Sequence, residues 1–207
     1  MQLHKPRAAV ALTLTGSTLF AAGCHAPASP QGAPVPGAPA ITPGGSPSGS
    51  PAATPRTADY THLLITPRDI LAPDDSYVAA PTQPNPAGTQ GAEVLLTNHD
   101  QTRAIGDSIV ILPDAAAAPS ALRQATAALP RSVTGGDPQP APGGTGGTVI
   151  SGTAPDQSKA MTILLFTEGR AFVRLEFDSA SGTSTAPDFV ADVAQKQDIA
   201  VRTGLAA

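Results

Sequence analysis

Residues 159–178 read KAMTILLFTEGRAFVRLEFD. Two β-rich runs flank Glu168-Gly169, and a two-residue turn whose glycine supplies a positive φ joins such runs into a hairpin. In the second run Ala171, Val173, Leu175 and Phe177 alternate with Arg170, Phe172, Arg174, Glu176 and Asp178. That period of two puts one face in the core and most of the other in water. The first run differs, because Met161, Ile163 and Leu165 interleave with Thr162, Leu164 and Phe166. Both of its faces are apolar, so both need a cover and the strand belongs in the middle of a sheet. Two arrangements satisfy it: a helix on each face, or a helix on one and an apolar ligand groove on the other, lined by Ile163, Leu165, Phe166 and Phe172.

Upstream, AEVLLTN (92–98) and AIGDSIVILP (104–113) are further β-rich runs separated by the polar HDQTR, which predicts an antiparallel pair. Between the two pairs, Leu122, Ala125 or Thr126, and Leu129 recur at helical spacing before Pro130, predicting a helix over 116–129. Thr185-Ala186-Pro187-Asp188 starts a second helix, predicted over 187–202. Phe189, Val193, Lys196 or Gln197, and Ala200 form one line on it, Val190, Ala194 and Val201 lie alongside, and Gly204 is its stop signal. THLLIT (61–66) has strand composition, and Thr66-Pro67-Arg68-Asp69 carries the cap, proline and acid of a short helix start. Residues 79–91 and 134–147 are rich in Pro and Gly and read as loops. The expected fold class is α+β: an antiparallel sheet of four to six strands packed against two main helices.

The N-terminal quarter has a different composition. Lys5 and Arg7 precede AAVALTLTGSTLFAA, an uncharged segment ending in small residues, which is the layout of a secretory signal. A membrane span needs roughly 20 apolar residues, more than this segment offers. Ala21-Ala22-Gly23-Cys24 resembles the bacterial lipobox, which implies a signal peptide over 1–23 and a lipid on Cys24. The alternative is an ordinary signal cut after Ala28, since Ala26-Pro27-Ala28 also offers an A-x-A spacing. Cys24 is the single cysteine, so no internal disulfide is available, and an exposed exported thiol is a liability that lipidation removes. Two or more acyl chains anchor stably where one does not.

Residues 24–56 follow as a linker. The nine prolines of His25–Arg56, with no carboxylate and almost no large apolar side chain, cannot bury enough surface to fold, so this tract reads as a tether ahead of a single domain over 57–207. Thr42, Ser46, Ser50 and Thr54 each precede proline, the setting of O-glycosylated stalks; a bare linker is the alternative.

The 207-residue chain has a formal charge of −4. Without residues 1–23, which hold Lys5 and Arg7 but no acid, 10 basic and 16 acidic residues give −6. Nucleic acid and anionic lipid surfaces are therefore poor partners. Gly106-Asp107-Ser108 is similar to a serine-protease nucleophile region, but Ile109 follows where glycine is needed and the run lies in a predicted strand. Asn98-His99-Asp100 with Asp74-Asp75 matches no metal-site spacing and reads as solvated turns. The run GGTGG (143–147) lacks the lysine of a phosphate loop. No cofactor and no metal site is expected.

DYTHLLITPRDI, GAEVLLTN, SIVILPDAAAAPSALRQA, LLFTEGRAFVRLEFDS and PDFVADVAQKQDIAVRTGL together resemble a group of mycobacterial cell-envelope lipoproteins of uncharacterised function. In element order the chain is also similar to the extracellular sensor domains of mycobacterial Ser/Thr kinases and their free-standing lipoprotein relatives. These resemblances imply an extracytoplasmic location and an α+β fold, and they bring no catalytic residues. The expectation is a non-enzymatic envelope lipoprotein, held to the cell membrane by lipid on Cys24, whose domain binds a small apolar ligand or a protein partner. One alternative is an envelope lipid carrier or sensor with an internal cavity. Another is an extracytoplasmic hydrolase using His62 or His99 as its base.

Overall fold

A computed structural model describes residues 58–73 and 75–206. The expected signal, Cys24, the linker and its candidate glycosylation sites Thr42, Ser46, Ser50 and Thr54 lie outside the described residues. In chain order the elements are β1 (Tyr77–Ala79), β2 (Gln83–Pro84), β3 (Gly91–Asn98), β4 (Arg103–Ile111), α1 (Ala118–Ser132), β5 (Gln139–Pro140), β6 (Thr145–Thr153), β7 (Lys159–Glu168), β8 (Ala171–Ala180) and α2 (Pro187–Leu205). The strands form one antiparallel sheet in the order β1-β3-β4-β8-β7-β6-β5, with β2 also pairing β3.

The hairpin of residues 159–178 is the centre of this sheet. Glu168 pairs with Ala171, so the loop is Gly169-Arg170, one residue later than the sequence suggested, with Gly169 at φ +55°. A glycine at the first central position is what a type II′ loop needs. Strand β7 is buried continuously from Ala160 to Thr167, and each face has its own helix: α1 on one side, α2 on the other. The expected alternation on β8 holds for Ala171, Val173, Leu175 and Phe177, which face α2. The opposite face is drier than expected, since Phe172 is buried under α1 and Asp178 is also buried.

The α+β class stands, but the sheet has eight strands where four to six were expected. The surplus is β1, β2 and β5, of two or three residues each, with β2 and β5 inside the stretches read as loops and β1 overlapping one at Ala79. Runs that short carry no periodicity. THLLIT does not join the sheet: Thr61–Leu63 is a 3₁₀ turn and Leu64 is extended. The Thr66 start is confirmed as a capping box, with Thr66 N–H and Oγ1 both donating to Asp69 Oδ2 at 2.8 and 2.7 Å, but it begins only a single 3₁₀ turn, Pro67–Asp69.

Helix α1 passes Pro130 and closes two residues later, where Val133 N–H reaches Leu129 O at 3.0 Å. A proline so near the end forfeits one bond without a whole helix to break. Helix α2 runs on to Leu205, so Gly204 is not its stop. A Cβ there would overlap Leu63 Cδ2; glycine lets the 3₁₀ turn approach the last turn of α2.

Candidate functional site

The four residues expected to line a groove do not share a surface. Ile163, Leu165 and Phe172 belong to the core beneath α1, whereas Phe166 belongs to the core beneath α2. Their exposures of 0, 1, 8 and 0% mean that both helices already occupy the space a ligand would need. The helix-on-each-face arrangement is the one adopted.

His62 and His99 are both exposed, and among the described residues neither ring makes a hydrogen bond. The Asn98-His99-Asp100 turn is a self-contained polar knot: Asn98 Nδ2 donates to Asp75 Oδ2 at 2.8 Å, and Asp100 Oδ1 accepts from Thr102 N–H and Oγ1. Those bonds hold the Asp100 carboxyl below its ordinary value, the Thr102 hydroxyl contributing most. Among the described residues, no three His, Cys, Asp or Glu side chains gather as metal ligands. Asp107 and Ser108 project to opposite faces of β4, so the protease-like tripeptide assembles nothing.

The structure brings together two other groupings. The first is an open cleft of about 460 Å³ where α2 begins. Its floor is an aromatic cluster: Phe189, in the first turn of α2, stacks on Tyr77 at 6.3 Å between centroids and meets Phe177 edge-on at 6.1 Å. Offset and edge-to-face pairs of this kind add to area burial. Leu71, 65% exposed, stands on the rim with Pro73, Arg103, Asp75, Asp188 and Asp192. Burial first, and the Asp75 charge second, raise the Tyr77 hydroxyl above its ordinary value, with Arg103 opposing. Asp178 borders the cleft, but it follows inward-facing Phe177, so its side chain turns to the other face and pairs with Lys159.

The second grouping is a polar slot inside the α2 core. Gln197, with no exposed surface, clamps the backbone of the Leu63–Ile65 segment: its Nε2 donates to Leu63 O at 2.9 Å and its Oε1 accepts the Ile65 N–H at 3.0 Å. The same N–H is shared with Asp107 Oδ2 at 3.1 Å, while Asp107 Oδ1 has no partner. Desolvation pushes the Asp107 carboxyl up to about 7, against a smaller opposing pull from the Ile65 N–H. Two other buried carboxylates, Asp178 and Asp198, also have one idle oxygen, but Lys159 and Arg202 respectively bond the second. Among the described residues Asp107 has no cation. Sequence reasoning missed this slot although the signal was there: Asp107 sits in phase with Ile105, Ile109 and Ile111, and Gln197 with Val190, Val193 and Val201. A polar residue on an apolar phase must find a partner inside.

No family model matches the chain, and no curated protein matches it. Among solved structures it is similar to the crystal structure of the extracellular domain of PknH from Mycobacterium tuberculosis, at 10% identity and a TM-score of 0.46, over 72% of this chain and 100% of that one. The likeness is a loose one and transfers no residue roles. Among the described residues no helix is long and apolar enough to cross a membrane.

Proposed function

We propose that the chain is a lipid-anchored cell-envelope protein whose extracytoplasmic domain acts by binding rather than catalysis, with the cleft at the start of α2 as its ligand site. The address rests on the sequence: a basic start, an uncharged segment, the lipobox-like Ala21-Ala22-Gly23-Cys24 and a proline-rich tether. The observation that carries the binding reading is the aromatic floor. Phe189 is only half-buried, so the Tyr77–Phe189–Phe177 stack presents an apolar wall to an open concavity beside the exposed Leu71.

A concavity with an apolar wall and a few polar groups at its margin suits a small molecule with an apolar body and one polar end. Arg103 and the rim aspartates supply the orienting charges. The lining includes Ser184 and Thr185 but no histidine to activate them.

The test uses N-phenyl-1-naphthylamine, a neutral apolar dye, titrated into the purified full chain. Saturable fluorescence enhancement is expected, with Phe189→Ala weakening it about tenfold, the order of effect for losing one aromatic contact. No saturable signal, or equal binding by the variant, removes the cleft as the ligand site.

A further inference from the structure

We propose that Asp107 is a proton-operated latch on the Tyr60–Ile65 segment: its neutral carboxyl keeps the segment in the α2 slot, and its carboxylate lets it go. The inference goes beyond the binding reading and holds whether or not the cleft takes a ligand.

The segment is threaded rather than laid on the surface. Leu63, Leu64 and Ile65 are 0, 5 and 3% exposed, yet no strand pairs with them. The Leu63 and Leu64 N–H groups bond Tyr60 O and Thr61 O within the 3₁₀ turn, but two buried backbone groups depend on side chains, with Gln197 satisfying Leu63 O and Gln197 plus Asp107 sharing the Ile65 N–H. An unsatisfied buried backbone group is costly, so whatever weakens these side-chain partners loosens the segment.

At Ile65, two acceptor oxygens meet one donor. A neutral Asp107 adds the missing donor, because its O–H can be given to Gln197 Oε1, which lies against the same N–H. An ionised Asp107 instead leaves acceptor facing acceptor, with Oδ1 idle and a charge in an apolar core. The surroundings offer that charge nothing. Across β3 its register partner is Val94 and across β8 Leu175; on β4 its same-face neighbours are Ile105 and Ile109. The 3₁₀ segment presents Ile65 and α2 presents Gln197, while Asp198 and Arg202 of α2 pair with each other. Of the segment's own titratable groups, His62 is exposed and the Tyr60 hydroxyl accepts from Arg170 Nη2 at 3.4 Å. Release of the segment is the available route by which the carboxylate reaches water, and a carboxyl at about 7 places the change near neutral pH.

Amide hydrogen exchange on the full chain, corrected for intrinsic rates, tests the latch. Between about pH 5.5 and about pH 8.5, a carboxyl at about 7 when latched and at its ordinary value when released lowers protection of the Ile65 amide by up to about thirtyfold. Protection of Leu164 in β7 should change much less. Asp107→Asn, which is neutral at every pH, should hold Ile65 equally well at both ends of the range. Unchanged Ile65 protection in the native chain, or the same fall in Asp107→Asn, overturns the proposal. If Asp107→Asn does not fold, carbon-13 detection of the native Asp107 carboxyl decides: its titration must coincide with the loss of Ile65 protection, and titration with protection flat overturns the latch.

Discussion

Beneath α1 the apolar core is Leu129, Val133, Ile150, Ala154, Met161, Ile163, Leu165 and Phe172, whereas beneath α2 the sheet buries a larger apolar set and also a carboxylate, a glutamine and the backbone of a threaded segment. The first interior is held mainly by packing, with the Asp178–Lys159 pair at its margin. The second holds Asp107, which among the described residues is the buried carboxylate without a cation, and it ends in the open cleft where α2 begins. One sheet thus has a static side and a responsive side, and the two should fail differently when perturbed.

The largest effect is expected from Phe166→Ala, which empties the α2 side. The ring is wholly buried, and a Cβ at Gly144, itself at φ +41°, would come within 2.6 Å of Phe166 Cδ2, so the backbone already presses on it and the site cannot easily collapse. The loss should fall at about 3–5 kcal/mol, with Ile163→Ala on the α1 side costing about 2–4 kcal/mol. Urea denaturation of both variants checks the ranking; a cheaper Phe166→Ala would mean that the α1 side carries the fold.

Next comes the pH dependence of the native chain. The Asp107 carboxyl stands at about 7 when folded against 3.8 for the free side chain, so between those values the folded state holds the extra proton. Stability is therefore full below about pH 4, falls as the pH rises through that window and levels off above 7, by at most about 4 kcal/mol for a shift of about three units. Release of the Tyr60–Ile65 segment relieves part of that penalty, so the measured global loss should be roughly 2–4 kcal/mol. Asp178, also raised by burial and partly offset by Lys159, tilts in the same direction. The reading is accordingly the difference between the native chain and Asp107→Asn in denaturation at pH 5 and pH 8: a difference near zero would place Asp107 on the static side.

The comparison also shows what a sequence can display. The doubly apolar run 159–166 demanded two covers, and two helices supply them, because a strand of period two reports both of its faces at once. The slot was hidden for the opposite reason. Asp107 and Gln197 each look like one polar residue in an otherwise apolar phase, and what satisfies them is a backbone segment 42 and 132 residues away. Spacing carries no information about a partner that is a main-chain group. The stretch 61–66 has the side chains of a strand, while its missing ladder partner is a glutamine side chain. The cleft was illegible in turn, since Tyr77, Phe177 and Phe189 come from three elements whose adjacency only the β1-β3-β4-β8 order creates.

The smallest effect belongs to the part of the α1 side that α1 leaves uncovered. There Glu176 bridges Arg174 at 2.6 Å and Lys159 at 3.5 Å, with side chains between 18 and 37% exposed. Partly solvated pairs of this kind lose in desolvation and side-chain entropy most of what they gain in Coulomb energy. Lys159 also keeps Asp178 as a second partner. Glu176→Gln should therefore cost less than about 1 kcal/mol, and the cost should shrink toward zero in about 1 M salt, where screening acts within about 3 Å. The Asp107 difference, arising in an interior closed to ions, should persist at the same salt concentration. Measured together, the two variants separate the sides by salt response: a large, salt-resistant cost for Glu176→Gln would show that the open half of the α1 face is an electrostatic core in its own right.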